Sequence, residues 1–140
     1  MKSRCPSAEF RYRAVLENYR LAFTRRSATT GTGVADVEPS SSREVWGVVY
    51  RIPEGEVSEL DRAEGYQEGR IVNAYERRWV EVIEDGQTDQ ERRVQAYFAI
   101  RQNDPPLPSS EYLGYLVNGA RHWALPGRYI AMLEGTRTAD

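Results

Sequence analysis

From Tyr12 to Phe23 the chain partly alternates apolar and polar residues, with Val15, Tyr19, Leu21 and Phe23 on the apolar beats. That period of two predicts a β-strand, interrupted by a turn or bulge near Glu17-Asn18. Residues 25–33 are Ser, Thr, Gly and Arg apart from Ala28, a loop composition. A short strand over Val34 to Val37 is expected next, closed by Pro39 and the serines 40–42. Val45 to Ile52 is β-branched or aromatic at almost every position and runs into Pro53, which makes it the clearest strand of the chain. Gly47 inside it suggests a bulge or a place where another group approaches the backbone.

The period then changes. Pro53, Glu54 and Glu56 suit the first turn of a helix, and Gly65 suits its end. Strands are expected over Tyr75 to Ile83 and Arg92 to Ile100, joined as a hairpin through the polar stretch after Glu84. The proline-rich run from Asn103 to Pro108 reads as an extended linker. Ser109 or Ser110 then caps a helix in which Tyr112, Leu116, Gly119 and Trp123 recur at helical spacing, and Pro126 opens a last short helix with Tyr129, Ile130 and Leu133. Strands with helices placed between and after them predict an α+β fold on a mostly antiparallel, barrel-like mixed sheet.

At 140 residues, one domain is expected. Hydrophobic residues at 40% and charged ones at 29% fit a globular protein, and a net charge of −2 offers no electrostatic reason for nucleic acid or an anionic membrane as partner. One cysteine, Cys5, allows no internal disulfide, and one histidine, His122, cannot build a His/Cys metal cluster, so the reducing cytosol is the default expectation. No run reaches the roughly 20 apolar residues of a membrane span.

Candidate chemistry centres on Glu64. In the predicted helix Val57, Leu60 and Glu64 at i, i+3 and i+7 share one face, which sets a carboxylate among apolar side chains beside a helix C-terminus. Desolvation and the negative end of the helix dipole both favour the neutral acid, as suits a proton acceptor working near pH 7. A solvated helix carboxylate paired with a nearby arginine is the commoner outcome for such a residue, and Asp61, near the edge of the same face, competes for the role. Among the tyrosines, Tyr50, Tyr66, Tyr75, Tyr97, Tyr112 and Tyr115 offer apolar bodies with polar tips for a pocket. The pair Arg25-Arg26 offers an anion site or, more simply, a solvated charge pair.

Taken in order, Arg4-Cys5-Pro6-Ser7-Ala8, Val45-Trp46-Gly47-Val48-Val49-Tyr50, Leu60-Asp61-Arg62-Ala63-Glu64-Gly65, Tyr97, Tyr112, Gly119-Ala120, Leu125-Pro126 and Tyr129 resemble the successive blocks of the γ-glutamylcyclotransferase (AIG2-like) superfamily. The resemblance covers nearly the whole chain. It implies a barrel-like α+β fold and cyclisation of a γ-glutamyl amine or peptide to 5-oxoproline, with the amine released and no cofactor required. It also implies that Glu64 is the general base and acid, that Tyr112 contacts substrate, and that Tyr75 and Tyr97 are pocket walls. A homodimer is compatible with it. Family members carry an N-terminal Tyr-Gly-Ser-Asn loop that this sequence lacks, so an N-terminally truncated domain is expected. Such a chain is an enzyme if the loop is supplied, and otherwise a weak or inactive member that binds a metabolite or protein.

Overall fold

The computed structural model describes residues 6–28, 30–64, 75–85 and 91–140, apart from the side chain of Glu64. Its elements are β1 (Glu9–Arg26), β2 (Gly33–Arg51), α1 (Glu54–Glu64), β3 (Tyr75–Glu84), β4 (Glu91–Ala99), α2 (Ser110–His122) and α3 (Gly127–Glu134). The sheet order is β2-β1-β3-β4, and every described pairing is antiparallel.

β1 and β2 form one long hairpin. The two strands expected over Val34 to Val37 and Val45 to Ile52 are a single strand, because the serine cluster bulges without leaving the ladder. Glu17 pairs with Glu44 and Tyr19 with Pro39, so four residues of β2 stand opposite Asn18 alone. Asn18 and Ser42 absorb the mismatch at φ 64° and 66°, and the Ser42 N–H donates to Asn18 Oδ1 at 3.3 Å. Asparagine is among the residues that reach this left-handed conformation most readily. The bulge expected near Glu17-Asn18 is therefore present. Gly47 differs from expectation: it sits in regular register with Ala14, and a Cβ built there meets nothing within 4 Å.

Although β2 and β4 are opposite edges of the sheet, side chains draw them together. Buried Asp36 of β2 accepts from Thr24 Oγ1 at 2.7 Å and from the Ala99 N–H of β4 at 3.0 Å. Just beyond β4, the Gln102 N–H donates to Thr24 O at 2.9 Å. The result is barrel-like curvature without a closed ladder among the described residues.

The linker after β4 lies over the start of β2, where the Gly33 N–H donates to Leu107 O. A Cβ on Gly33 would stand 2.3 Å from Pro106 O and 3.1 Å from Phe23 Cβ. Backbone cannot step aside cheaply, so Gly33→Ala is expected to cost about 1–3 kcal/mol, read as a lower denaturation midpoint at unchanged slope.

Ser109 caps α2, its Oγ accepting from the Tyr112 N–H at 3.1 Å. The buried stripe of α2 is Leu113, Val117 and Ala120, one position beyond the stripe read from sequence. Leu116 and Trp123 border it. It packs with Leu125, Tyr129 and Leu133 against Leu21, Val45 and Trp46 of the hairpin. Arg13 of β1 ties this layer to the sheet. Its guanidinium donates to Ala124 O at 2.7 Å in the α2–α3 turn and pairs with Asp85 at the end of β3. A smaller cluster joins Ala8 and Leu60 to Tyr50, Ile52 and Tyr97, and this cluster positions α1.

Candidate functional site

α1 begins where the sequence predicts, with Glu54 and Glu56 in its first turn and the Glu56 N–H bonded to Pro53 O. One turn apart, Val57 and Leu60 face a cavity of about 510 Å³ whose other walls come from all four strands. Leu60 is buried there against Ala8. Glu64, the last residue of α1, follows Leu60 by four positions and so belongs to the same helical stripe; its side chain lies outside the described residues.

Asp61 fixes this helix to the sheet. It is only 7% exposed, and both of its oxygens are engaged: Oδ2 by Arg77 Nη1 at 2.7 Å and Oδ1 by the Tyr97 hydroxyl. Arg77 and Tyr97 are directly opposed residues of β3 and β4, so a cross-strand pair converges on one carboxylate of α1. With both oxygens engaged, Asp61 serves as a clamp between α1 and the sheet.

Valine, leucine, alanine and tryptophan dominate the cavity wall, and Arg77 is the one ionised residue among its described lining. Gln95, Tyr50 and Tyr97 add polar tips. Trp46 is held in this wall from two sides. Its indole N–H donates to Glu44 at 2.9 Å, and Arg128 donates to the same oxygen at 2.8 Å. These two donors, Trp46 first, hold the Glu44 carboxyl below its usual pKa. Tyr129 of α3 makes a backbone hydrogen bond with Trp46, and burial pushes its phenol up to about 12. Gly47 opens the wall beside Trp46, since no side chain fills its place.

Of the tyrosines singled out from sequence, Tyr50 and Tyr97 line the cavity. Tyr75 lies at the start of β3 opposite Ala99, outside the described lining. Tyr112 is elsewhere as well: its hydroxyl accepts from the Ala35 N–H at 2.9 Å and its ring meets Phe23 edge-on at 6.4 Å. Tyr115 is exposed and bonds Glu111, while Tyr66 and Cys5 lie outside the described residues. Arg25 and Arg26 donate to the carbonyls of Ile100 and Gly31, which makes them loop fasteners. His122 is exposed beside Trp123.

Arg77 was not legible in the sequence as a site residue. Strand alternation says only that Arg77 and Arg78 point to opposite faces. Which one turns inward depends on Asp61, 16 residues away across the end of α1. Among the described residues there is no cluster of three or more His, Cys, Asp or Glu able to hold a metal, and no helix long and apolar enough to cross a membrane.

Comparison with known proteins adds an independent line. Residues 44–133 match the AIG2-like family. A gamma-glutamylcyclotransferase of Bos taurus is 30% identical over 141 aligned residues, spanning 98% of this chain and 71% of that protein, and the Homo sapiens gamma-glutamylcyclotransferase matches to the same extent. A solved structure named gamma-glutamyl cyclotransferase superposes with a TM-score of 0.88 at 27% identity, covering 99% of this chain and 80% of that one.

Proposed function

This chain belongs to the AIG2-like family of the γ-glutamylcyclotransferase superfamily, and from that premise we propose that it cyclises a γ-glutamyl amine or peptide to 5-oxoproline. Glu64 is the proton shuttle in this reading. Its carboxylate removes a proton from the substrate's α-ammonium, and the freed nitrogen attacks the γ-carbonyl carbon. The new C–N bond closes a five-membered ring. Glu64 then returns the proton to the departing nitrogen as the original amide bond breaks, and the ring nitrogen passes its second surplus proton by way of the same carboxylate to the released amine, so 5-oxoproline and an ammonium leave and the carboxylate is regenerated. Nucleophile and electrophile belong to one molecule, so the protein's main task is to hold the folded conformer.

The observation that carries this reading is the course of α1. The helix lays Val57 and Leu60 along the cavity, is clamped by Asp61 one turn before Glu64, and carries Glu64 on the same stripe. Tyr97 and Tyr50, which both line the cavity, are the tyrosines placed to contact substrate in this reading. The cytosol is the compartment that suits a cofactor-free reaction of a chain with a single cysteine.

The test is 5-oxoproline formation by the purified protein from a panel of γ-glutamyl amides, run beside equilibrium binding of the same compounds. Turnover supports the proposal. Saturable binding without any turnover would leave the binding-module reading in its place.

Gly47 provides a check on the cavity itself. A Cβ at position 47 meets nothing within 4 Å and Gly47→Leu replaces a poor strand former, so stability should change by less than about 1 kcal/mol. The added bulk occupies substrate space, and KM for γ-glutamyl substrate should rise about tenfold, equivalent to about 1.4 kcal/mol of binding, with kcat little altered. An unchanged KM would mean that substrate does not enter this cavity.

A further inference from the structure

A second recess, of about 650 Å³, is not used by the proposed reaction. Among the described residues its rim carries Arg11, Arg51 and Arg92 with one lining carboxylate, Glu84, and its aromatic side is formed by Phe10, Tyr12 and Tyr50. The backbone explains why the cations gather. Glu9 pairs with Arg51 and Phe10 with Tyr50, but pairing resumes only between Tyr12 and Val49, so Arg11 is the extra residue of a β-bulge. A bulge bends its strand and re-aims the bulged side chain. Arg11 therefore lines the recess together with both of its sequence neighbours, Phe10 and Tyr12.

Arg92 donates to Glu84 at 3.3 Å. Arg11 and Arg51 are exposed and make no hydrogen bond or ion pair among the described residues. Among the described lining residues three guanidiniums stand against one carboxylate, an excess of positive charge in a protein whose net charge is −2, with Glu9 opposite Arg51 on the neighbouring strand. The phenol of Tyr12 registers the cluster: burial raises its pKa first, and Arg92, Glu84 and Arg11 then pull on it in opposing directions. Concave placement focuses such a field on an incoming anion.

Charge and shape narrow the ligand. A phosphate monoester carries about −1.5 to −2 at neutral pH and offers oxygens that guanidinium forks bind two at a time. The recess is larger than a phosphate group needs and lies in the size range of pockets for small organic ligands. Phe10 supplies a fixed shelf for the remainder. Its ring stacks on Trp123 at 4.3 Å and 6°, Tyr50 braces Trp123 edge-on at 6.3 Å, and Phe10 remains 43% exposed. We infer that the Arg11–Arg51–Arg92 recess binds a small phosphorylated compound bearing a flat apolar group, the phosphate on the arginines and the flat group on Phe10.

Phenyl phosphate is the probe, titrated calorimetrically beside inorganic phosphate and benzoate. Saturable one-to-one binding of phenyl phosphate is expected, about tenfold tighter than either comparison compound. The double variant Arg11→Ala/Arg51→Ala should weaken it by at least about tenfold, whereas Arg43→Ala/Arg137→Ala, which removes the same charge from exposed positions elsewhere, should leave it unchanged. Glu84→Gln should tighten it. Equal loss in the two double variants would reduce the effect to diffuse charge and overturn the inference, as would the absence of saturable binding. Benzoate binding as tightly as phenyl phosphate would overturn the phosphate assignment.

Discussion

Glu64→Gln is expected to lower 5-oxoproline release by about 10²–10⁴-fold, the usual contribution of a positioned general acid–base group. Glutamine keeps the size and hydrogen-bonding reach of glutamate but accepts no proton from an ammonium at neutral pH. The substrate's amine then stays protonated and cannot attack. Because Glu64 is the final residue of α1 and glutamine keeps the side chain's size, the melting temperature should move by no more than about 2 °C. The effect should fall on kcat, with KM largely preserved, since removal of a group that acts only in the transition state leaves ground-state binding intact. Wild-type turnover in Glu64→Gln would take this residue out of the mechanism, even if the protein proved to be a cyclotransferase.

Asp61→Ala should have the largest effect on stability. Asp61 and Arg77 have side-chain exposures of 10% and 19%, so their charges are mostly withdrawn from water. Removing the carboxylate takes from Arg77 an ion-pair partner at Nη1 and from the Tyr97 hydroxyl an acceptor. Breaking a buried pair from one side typically costs about 3–5 kcal/mol, or about 10 °C in melting temperature for a chain of this size. Asp61→Asn, which keeps the shape and one acceptor, should lose less. The double variant Asp61→Ala/Arg77→Met should be more stable than the sum of its singles, because it removes both members of the pair together. A melting temperature for Asp61→Ala within about 2 °C of wild type would show that the clamp contributes little.

Function should follow the same clamp. Asp61 sits one turn before Glu64, so loosening it lets the end of α1 wander, and small displacements of a catalytic group are costly in rate. Asp61→Asn is the informative variant here. A fall in kcat larger than its stability loss explains at the assay temperature would identify Asp61 as a positioning residue for Glu64.

Much of the local architecture was legible from periodicity and punctuation. Val45 to Ile52 is a strand because its residues are β-branched or aromatic, α1 starts after Pro53, and Ser109 caps α2 through its hydroxyl. These outcomes depend on neighbours within about four residues, which is the range that propensity and capping report. The stripe of α2 was misread by one position because several apolar residues compete for the arc, and only the packing of α3 decides which are buried.

The candidate site divides along the same line. Glu64, Leu60 and Val57 were recognisable as one stripe, since a helix places i, i+3 and i+7 together whatever surrounds it. The gathering of Asp61, Arg77 and Tyr97 was not, and neither was the position of Tyr112 apart from the cavity. Nor did the chain announce that its serine cluster would be held inside a single β2 by Asn18, or that Asp36 would draw the two sheet edges together. By itself, the sequence determined the elements, the candidate acid and, through its blocks, the family. The tertiary structure alone decided which arginine faces the acidic helix, which tyrosine reaches the cavity and how far the sheet curls. Those choices depend on partners 16 to 77 residues apart, and a buried charge or hydroxyl is satisfied only by whichever distant group the fold delivers to it.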